Sequence, residues 1–359
     1  MKTLEKLQSQ SYCHVPMQWV GPLNIGGSTP CGDLQFTGKV PLATFEAPIW
    51  NSVARGARIS KYAPIQTYFI HSCMTRSVLI KAGSLRLARQ FLAQVFEVKN
   101  DFIFWTEKTS RFCRYQSVHG EIFGNRVWLR FSFETASASG HNMATKAATY
   151  LAQQLLACKK DSEKTWQEEF GLELLSDSGN LCCDKKVSSI NAVLGRGCHV
   201  QAQMRLSKKL CERFLRATPE KIQELCLEKN WVSSVMAGSL HSANAHIANM
   251  LLAFYIATGQ DGANIVEGSQ SQSICEIEDQ DLLLTCRFPH LIVGTIGAGK
   301  AFGQECLAQL GCSGEKDSKQ RLAQLMAATA LCGELSLLGA LANPGELLRS
   351  HERIERGQV

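Results

Sequence analysis

Several features are missing from this sequence, and each absence narrows the reading. Among its 15 cysteines there is no pair of CxxC units; Cys182 and Cys183 are adjacent and the rest scatter. Zinc clusters need short paired spacings, so no metal site is expected. Scattered thiols fit a reducing, cytoplasmic setting. Met1–Tyr12 is polar and charged, so no secretory leader is expected. No stretch approaches about 18 consecutive apolar residues. The longest helix-like apolar segment, Ile247–Ala257, contains Asn249 and reads as a buried helix, so no membrane partner is expected. No basic block carries interleaved aromatics, and nucleic acid is not an expected partner. No internal repeat is found.

What is present describes a globular chain. Its 359 residues suit one large domain plus a smaller one, or two medium ones. The hydrophobic share, 45%, allows a substantial core. The net charge of +6 is a mild excess that suits an anionic substrate or cofactor.

The chain alternates helix and strand patterns, which gives an α+β or mixed α/β class. Val15–Gly27 reads as strand, turn, strand. Val40–Ser60 passes from an extended piece into a helix with Pro48 in its first turn, which leaves Glu46 at the junction. Gly83–Val98, His141–Lys159 and Trp166–Leu175 read as helices and Asn125–Glu134 as a strand; together they outline a small α+β unit, roughly Val78–Leu175. Val200–Leu206 and Leu282–Val293 read as extended. Thr218 caps a helix running towards Lys229, and Asn244–Thr258 is a long helix stopped by Gly259. Helices over Phe302–Leu310 and Ser318–Ala342 follow. Asn343 is expected to cap a last short helix beginning at Pro344, with Glu346 closing a capping box.

Four constellations can carry chemistry. In Ser178–Ser189 an Asp–Lys–Lys triplet lies among small residues. A lysine held there near carboxylates can stabilise an oxyanion, though the same residues fit a solvated basic loop. His246, Asn249 and Ala253 share a helix face, and two polar groups in an apolar helix need partners or a ligand. Gly294–Gly299, GTIGAG, precedes a helix and can cradle phosphates, or be a plain glycine-rich turn. Gly195–Arg196–Gly197 is a turn that either aims a guanidinium at phosphate or lies on the surface. His351 stands near the end among Arg349, Arg353 and Arg356, as a basic flap over an anion or as a frayed tail.

From about Tyr12 onward these segments resemble hydroxymethylglutaryl-CoA reductase of the eukaryotic type, catalytic part only. The resemblance rests on VPMQWVGPL, VPLATFE, CMTRS, SGN…DKK, GRG, VMAGSL…NAHIANMLLAFYIATGQD, GTIGAG, CGELSLLGALA and RSH, in order. It implies a large mixed α/β CoA-substrate domain (residues 1–77 and 177–350), an inserted small ferredoxin-like coenzyme-binding domain (78–176) and a C-terminal catalytic flap (351–359). The catalytic residues it implies are Glu46, Lys185, Asp261 and His351. Those implied at the substrate are Arg76, Ser178, Lys229 and Asn249. The cofactor NADPH would meet Arg55, Ser137, Gly140, Asn142, Gly294, Thr295, Gly297 and Arg356. The expected partners are hydroxymethylglutaryl-CoA, CoA and a second copy of the chain, as a dimer or dimer of dimers with sites at the interface.

Departures concentrate in one place. The family's Asp–Ala–Met–Gly–Met–Asn run is here SASGHN, Ser137–Asn142, so Ser137 replaces an acid. A Gly–Gly pair becomes His241–Ser242, whose side chains would narrow a site. Beside reduction of the thioester to mevalonate, two rival readings stand: a homologue that binds acyl-CoA but reduces it poorly, and a non-enzymatic basic interaction protein.

Overall fold

The computed structural model describes residues 13–159, 163–239, 241–297, 303–314 and 316–355. It is a mixed α/β fold built on an open sheet. Strands β1 (Met17–Thr29) and β2 (Gly32–Ala43) pair antiparallel. A 17-residue strand, β3 (Ile65–Lys81), joins β1 in parallel over Ile65–Tyr68. Antiparallel β7 (Gly197–Leu206) and β9 (Asp281–Leu291) follow, with β8 (Gln272–Glu278) at the far edge. At Cys73 the pairing of β3 with β7 ends. From Met74 it pairs instead with β5 (Arg126–Glu134), which β4 (Arg114–Phe123) flanks, while β6 (Glu173–Ser176) takes the other side. One strand thus serves two sheets, and Arg76 lies just past the changeover.

Two apolar cores follow from this. The larger packs α1 (Pro48–Ser60), α4 (Ile247–Ala257) and α5 (Ser318–Leu341) on the first sheet, with Val53, Met250, Phe254, Met326 and Leu335 all buried. Full burial of side chains of this size stabilises by about 1.5–3 kcal/mol each relative to exposure. Gly56 brings α1 against α5; a Cβ there would sit 2.5 Å from Cys332 Cα, so only glycine allows the approach. The smaller core gathers Val78, Phe131 and Phe133 from β3 and β5 with Phe91 of α2 (Leu85–Glu97) and Leu151 of α3 (His141–Ala157).

Several elements depart from the sequence reading. Val15–Gly27 is one strand with an irregularity between Val20 and Leu23, because β2 pairs with it on both sides. Trp166–Leu175 splits: a helix over Trp166–Phe170 ends at left-handed Gly171, and β6 follows. The Thr218 cap is present, its hydroxyl accepting from Lys221 N at 3.4 Å, but the winding widens to a π-helix over Cys226–Val232. Helix α4 begins at Ile247 rather than Asn244. The buried Glu334 carboxylate of α5 accepts Ala245 N at 2.8 Å and His246 N at 2.7 Å, so a distant side chain satisfies the donors before the helix. The last helix, α6, is Glu346–Glu355 and starts two residues past Pro344. Glu346 turns to Arg55 instead, and Asn343 donates to Leu215 O and Gly339 O. The expectation that Ile247–Ala257 is the longest helix-like apolar segment is also corrected. Helix α5 spans 24 residues with a window of mean hydropathy 1.4, but 94% of that window is buried within the fold.

Candidate active site

The turn that carries Lys185 is strained and held by buried ions. Asn180, Cys183 and Lys185 all take positive φ (66°, 45° and 55°), a conformation that side chains resist. Its surroundings impose the shape. Lys185 N donates to Glu267 Oε1 at 2.5 Å, and Asn191 Nδ2 donates to Cys183 O at 3.2 Å. Asp184 Oδ1 accepts from Arg196 Nη2 at 2.6 Å. The Arg196 guanidinium also donates to Thr75 O and Oγ1 at 2.7 and 2.9 Å and approaches Glu267 at 3.6 Å. Arg196 is 1% exposed and Glu267 fully buried. The expected alternatives for Arg196, a phosphate ligand or a surface turn, both give way: it is an interior clamp that ties the Lys185 turn, through Asp184, to Thr75 of β3.

Fixed in this way, the Lys185 ammonium lies 2.6 Å from Asp261 Oδ2. Asp261 follows left-handed Gly259 after α4, and its carboxylate also accepts Ala263 N at 3.0 Å. Each partner favours the other's charged form. The hydrogen bond to Asp261 raises the Lys185 pKa, and the bond from Lys185 lowers that of Asp261. The Asp184 carboxyl is held well below the usual carboxylate range, first by His141 and then by Arg196. Burial pushes the Glu267 carboxyl up.

Beside this turn the two glycine-containing runs meet. Thr295 N donates to Ser137 O at 2.8 Å, and Ala138 and Ile296 form a parallel bridge. A Cβ at Gly294 would sit 2.3 Å from Ser139 N, so the backbones touch. Ser318 Oγ lies 2.6 Å from Thr295 Oγ1 and donates to Ser137 Oγ at 3.3 Å. Gly140, with φ 94°, starts α3 without a side-chain cap, which leaves the first N–H groups of a 17-residue helix available. Asn142 is exposed in that first turn. Ser137, Gly294 and Thr295 are therefore neighbours, with Gly140 and Asn142 following along the first run and Gly297 along the second. Arg356 and, in the GTIGAG segment, Ala298 and Gly299 lie outside the described residues.

Glu46 and Arg55 belong elsewhere. They line a cavity of about 520 Å³ between α1, α5 and α6, with His246, Arg58, Arg213, Arg216 and Arg349. Arg55 donates to Phe214 O and Glu346 Oε1, both at 3.0 Å. His246 Nε2 lies 2.9 Å from Gly333 O, and Asn249 is half-buried one turn further along α4. His351 falls on α6, whose first turns line the cavity; its side chain lies outside what is described. The basic flap expected from residue 351 thus starts as helix, because α6 packs on α1 and α5. Among the described residues no hydrogen bond or ion pair joins Glu46 to the Lys185–Asp261 pair. Ser178 is exposed at the start of the Lys185 turn, and Lys229 is half-buried on the π-helix. Arg76 is half-buried on β3, close enough to Cys182 to act on it electrostatically.

Sequence reading missed Glu267 and Glu334 as organising groups and Arg213 and Arg216 as cavity residues. No local pattern marks them, since each acts across the fold.

The family model for "Hydroxymethylglutaryl-coenzyme A reductase" matches residues 8–356. A 3-hydroxy-3-methylglutaryl-coenzyme A reductase of Aeropyrum pernix is 36% identical over 350 residues, covering 96% of this chain and 80% of that protein. One from Drosophila melanogaster is 33% identical over 97% of this chain and 37% of that protein. Among solved structures, the class II enzyme of Streptococcus pneumoniae, described as bound to NADPH in open conformations, superposes with a TM-score of 0.70 over 95% of this chain and 79% of that one, at 17% identity. The structural likeness is one of fold; the sequence likeness runs through both the cavity residues and the Lys185 turn, and by it this chain belongs to the hydroxymethylglutaryl-coenzyme A reductase family.

Proposed function

We propose that this chain reduces (S)-3-hydroxy-3-methylglutaryl-CoA to mevalonate and CoA, consuming two NADPH and two protons. The observation that carries this reading is the Lys185–Asp261 pair, a cation fixed on a strained turn beside the paired glycine runs. NADPH, bound along Ser137–Asn142 and Gly294–Gly297, supplies the hydride for each carbonyl reduction. The uncapped N-terminus of α3 fits its phosphates.

The chain's own groups then have distinct tasks. Lys185 stabilises the oxyanion that develops on the thioester carbonyl and again on the aldehyde. Asp261 holds that ammonium in place and in its charged form. His351 protonates the departing CoA thiolate when the hemithioacetal collapses to aldehyde. Glu46 donates the proton in the aldehyde step. The arginine-rich cavity beside Glu46 suits the CoA phosphates, and Arg55 is read there rather than at NADPH. Ser178, Lys229, Asn249 and Arg76 would contact the hydroxymethylglutaryl group.

Glu46 and Lys185 lie in separate parts of one chain, which supports a site completed between two copies in a dimer or dimer of dimers. Residues 1–77 and 177–350 would form the CoA domain, with 78–176 as the ferredoxin-like insert and 351–359 as a catalytic flap. The two cores, joined through β3, support that division. No disulfide is found among the described cysteines, which supports a cytoplasmic setting.

A second reading, a homologue that binds acyl-CoA but reduces it weakly, is favoured by Ser137, whose neutral hydroxyl accepts from Ser318 Oγ where the resemblance calls for an acid. NADPH oxidation dependent on hydroxymethylglutaryl-CoA decides between the two. Loss of that turnover by about 100- to 1000-fold in Lys185→Ala supports the reductase. Calorimetric binding of the CoA substrate without turnover by the parent protein supports the second reading.

A further inference from the structure

His141 and Ser137 are departures within the same run, and His141 does not sit idle. Its Nε2 lies 3.5 Å from Asp184 Oδ1, the oxygen that Arg196 also engages at 2.6 Å. The ring is about a quarter exposed, and no hydrogen bond closes at that nitrogen. The contact is therefore a close approach of the ring nitrogen to the carboxylate. Asp184 and, beyond it, Asp261 are the anions within its reach; Arg196 and Lys185 are the neighbouring cations. His141 also opens α3, directly after left-handed Gly140, so its backbone position is fixed by the run that Thr295 and Ser318 hold.

We propose that His141 is a positioning residue for Lys185: it closes a side-chain series, His141–Asp184–Arg196–Glu267, that holds the strained turn and so aims the ammonium. Nothing in this series touches the reacting atoms except through Lys185. The role also gives the glycine-rich run a mechanical link to the catalytic lysine, since His141 belongs to the first and Asp184 precedes the second. Asp184 is the shared member of the series, since its Oδ1 meets both His141 and Arg196.

The inference rests on the reductase reading, so the test separates the two. Turnover of the parent with NADPH and hydroxymethylglutaryl-CoA is measured first. His141→Gln removes the ring while keeping a polar side chain of similar size; His141→Lys supplies a permanent charge. With an active parent, His141→Gln is expected to lower kcat about tenfold, the scale of a small misplacement of a catalytic group. The KM for NADPH stays within about twofold, and His141→Lys recovers most of the loss, because an ammonium also engages the Asp184 carboxylate. A His141→Gln protein with parental kcat, or equal losses in both variants, overturns the role. If the parent does not turn over, the reductase reading fails by itself, and the positioning role is read from amide hydrogen exchange across residues 180–188. Faster exchange in the glutamine variant than in the lysine variant supports it, and equal exchange in the two overturns it.

Discussion

Asp261 Oδ2 meets Lys185 Nζ at 2.6 Å, although the two residues come from segments on opposite sides of β7 and α4 in the chain. A carboxylate at that distance favours the ammonium form and restricts its reach. Both side chains remain partly exposed, as groups that meet a substrate must be.

Replacing Asp261 should therefore act on catalysis more than on folding. Asp261→Asn is expected to lower kcat by about 100-fold, in the range for loss of an electrostatic group at a reacting centre. Its melting temperature stays close to the parent, since exposed pairs contribute little stability. Steady-state kinetics together with thermal unfolding decide this; a variant within threefold of parental kcat would remove Asp261 from the mechanism.

Arg196 should behave in the opposite way. It is a buried cation between Asp184 and Glu267, and its removal strands a fully buried carboxylate. Arg196→Ala is expected to cost about 3–5 kcal/mol, the range for breaking a buried pair. Urea unfolding measures it. The double variant Arg196→Ala with Glu267→Gln should recover part of the loss, because the stranded charge is gone.

The pH dependence of stability follows from Asp184. Its pKa in the folded protein is depressed by His141 and Arg196. A depressed carboxyl stabilises the fold at all pH values above its unfolded pKa of about 3.9. That contribution is lost as pH falls through the lower folded value. Asp184→Asn should therefore be less stable than the parent at neutral pH, and the gap should close in acid. Glu267 has the opposite sign: its raised pKa means that ionisation costs stability, and protonation relieves the cost. Denaturant unfolding of parent and Asp184→Asn at a series of pH values tests the closing gap; a constant gap would contradict it.

Arg55 tests the placement of the CoA end. It lies with Glu46 in the arginine-lined cavity and not with Ser137 or Thr295. Arg55→Ala is expected to raise the KM for hydroxymethylglutaryl-CoA by roughly 10-fold, the worth of one charge-assisted contact. The KM for NADPH should stay unchanged. The reverse pattern would return Arg55 to the coenzyme.

Much of this protein is determined locally. The helix over Pro48–Ser60 follows from a proline in its first turn and an apolar face, and it places Glu46 at a junction. The Thr218 cap, the left-handed stop at Gly259 and the strand over Arg126–Glu134 are likewise properties of short segments. Motif order singled out Lys185, Asp261 and the two glycine-containing runs as candidates, and the fold brings the members of each pair together. The tertiary structure decided what no segment contains. Glu334 caps a helix on another element, Glu346 leaves its own helix for Arg55, and Arg196 turns inward to Glu267. Each of these is a charge that must be satisfied once burial removes water, and its partner is chosen by what the fold brings near. His141 became a neighbour of Lys185 in the same way, through Asp184 and not through any spacing along the chain.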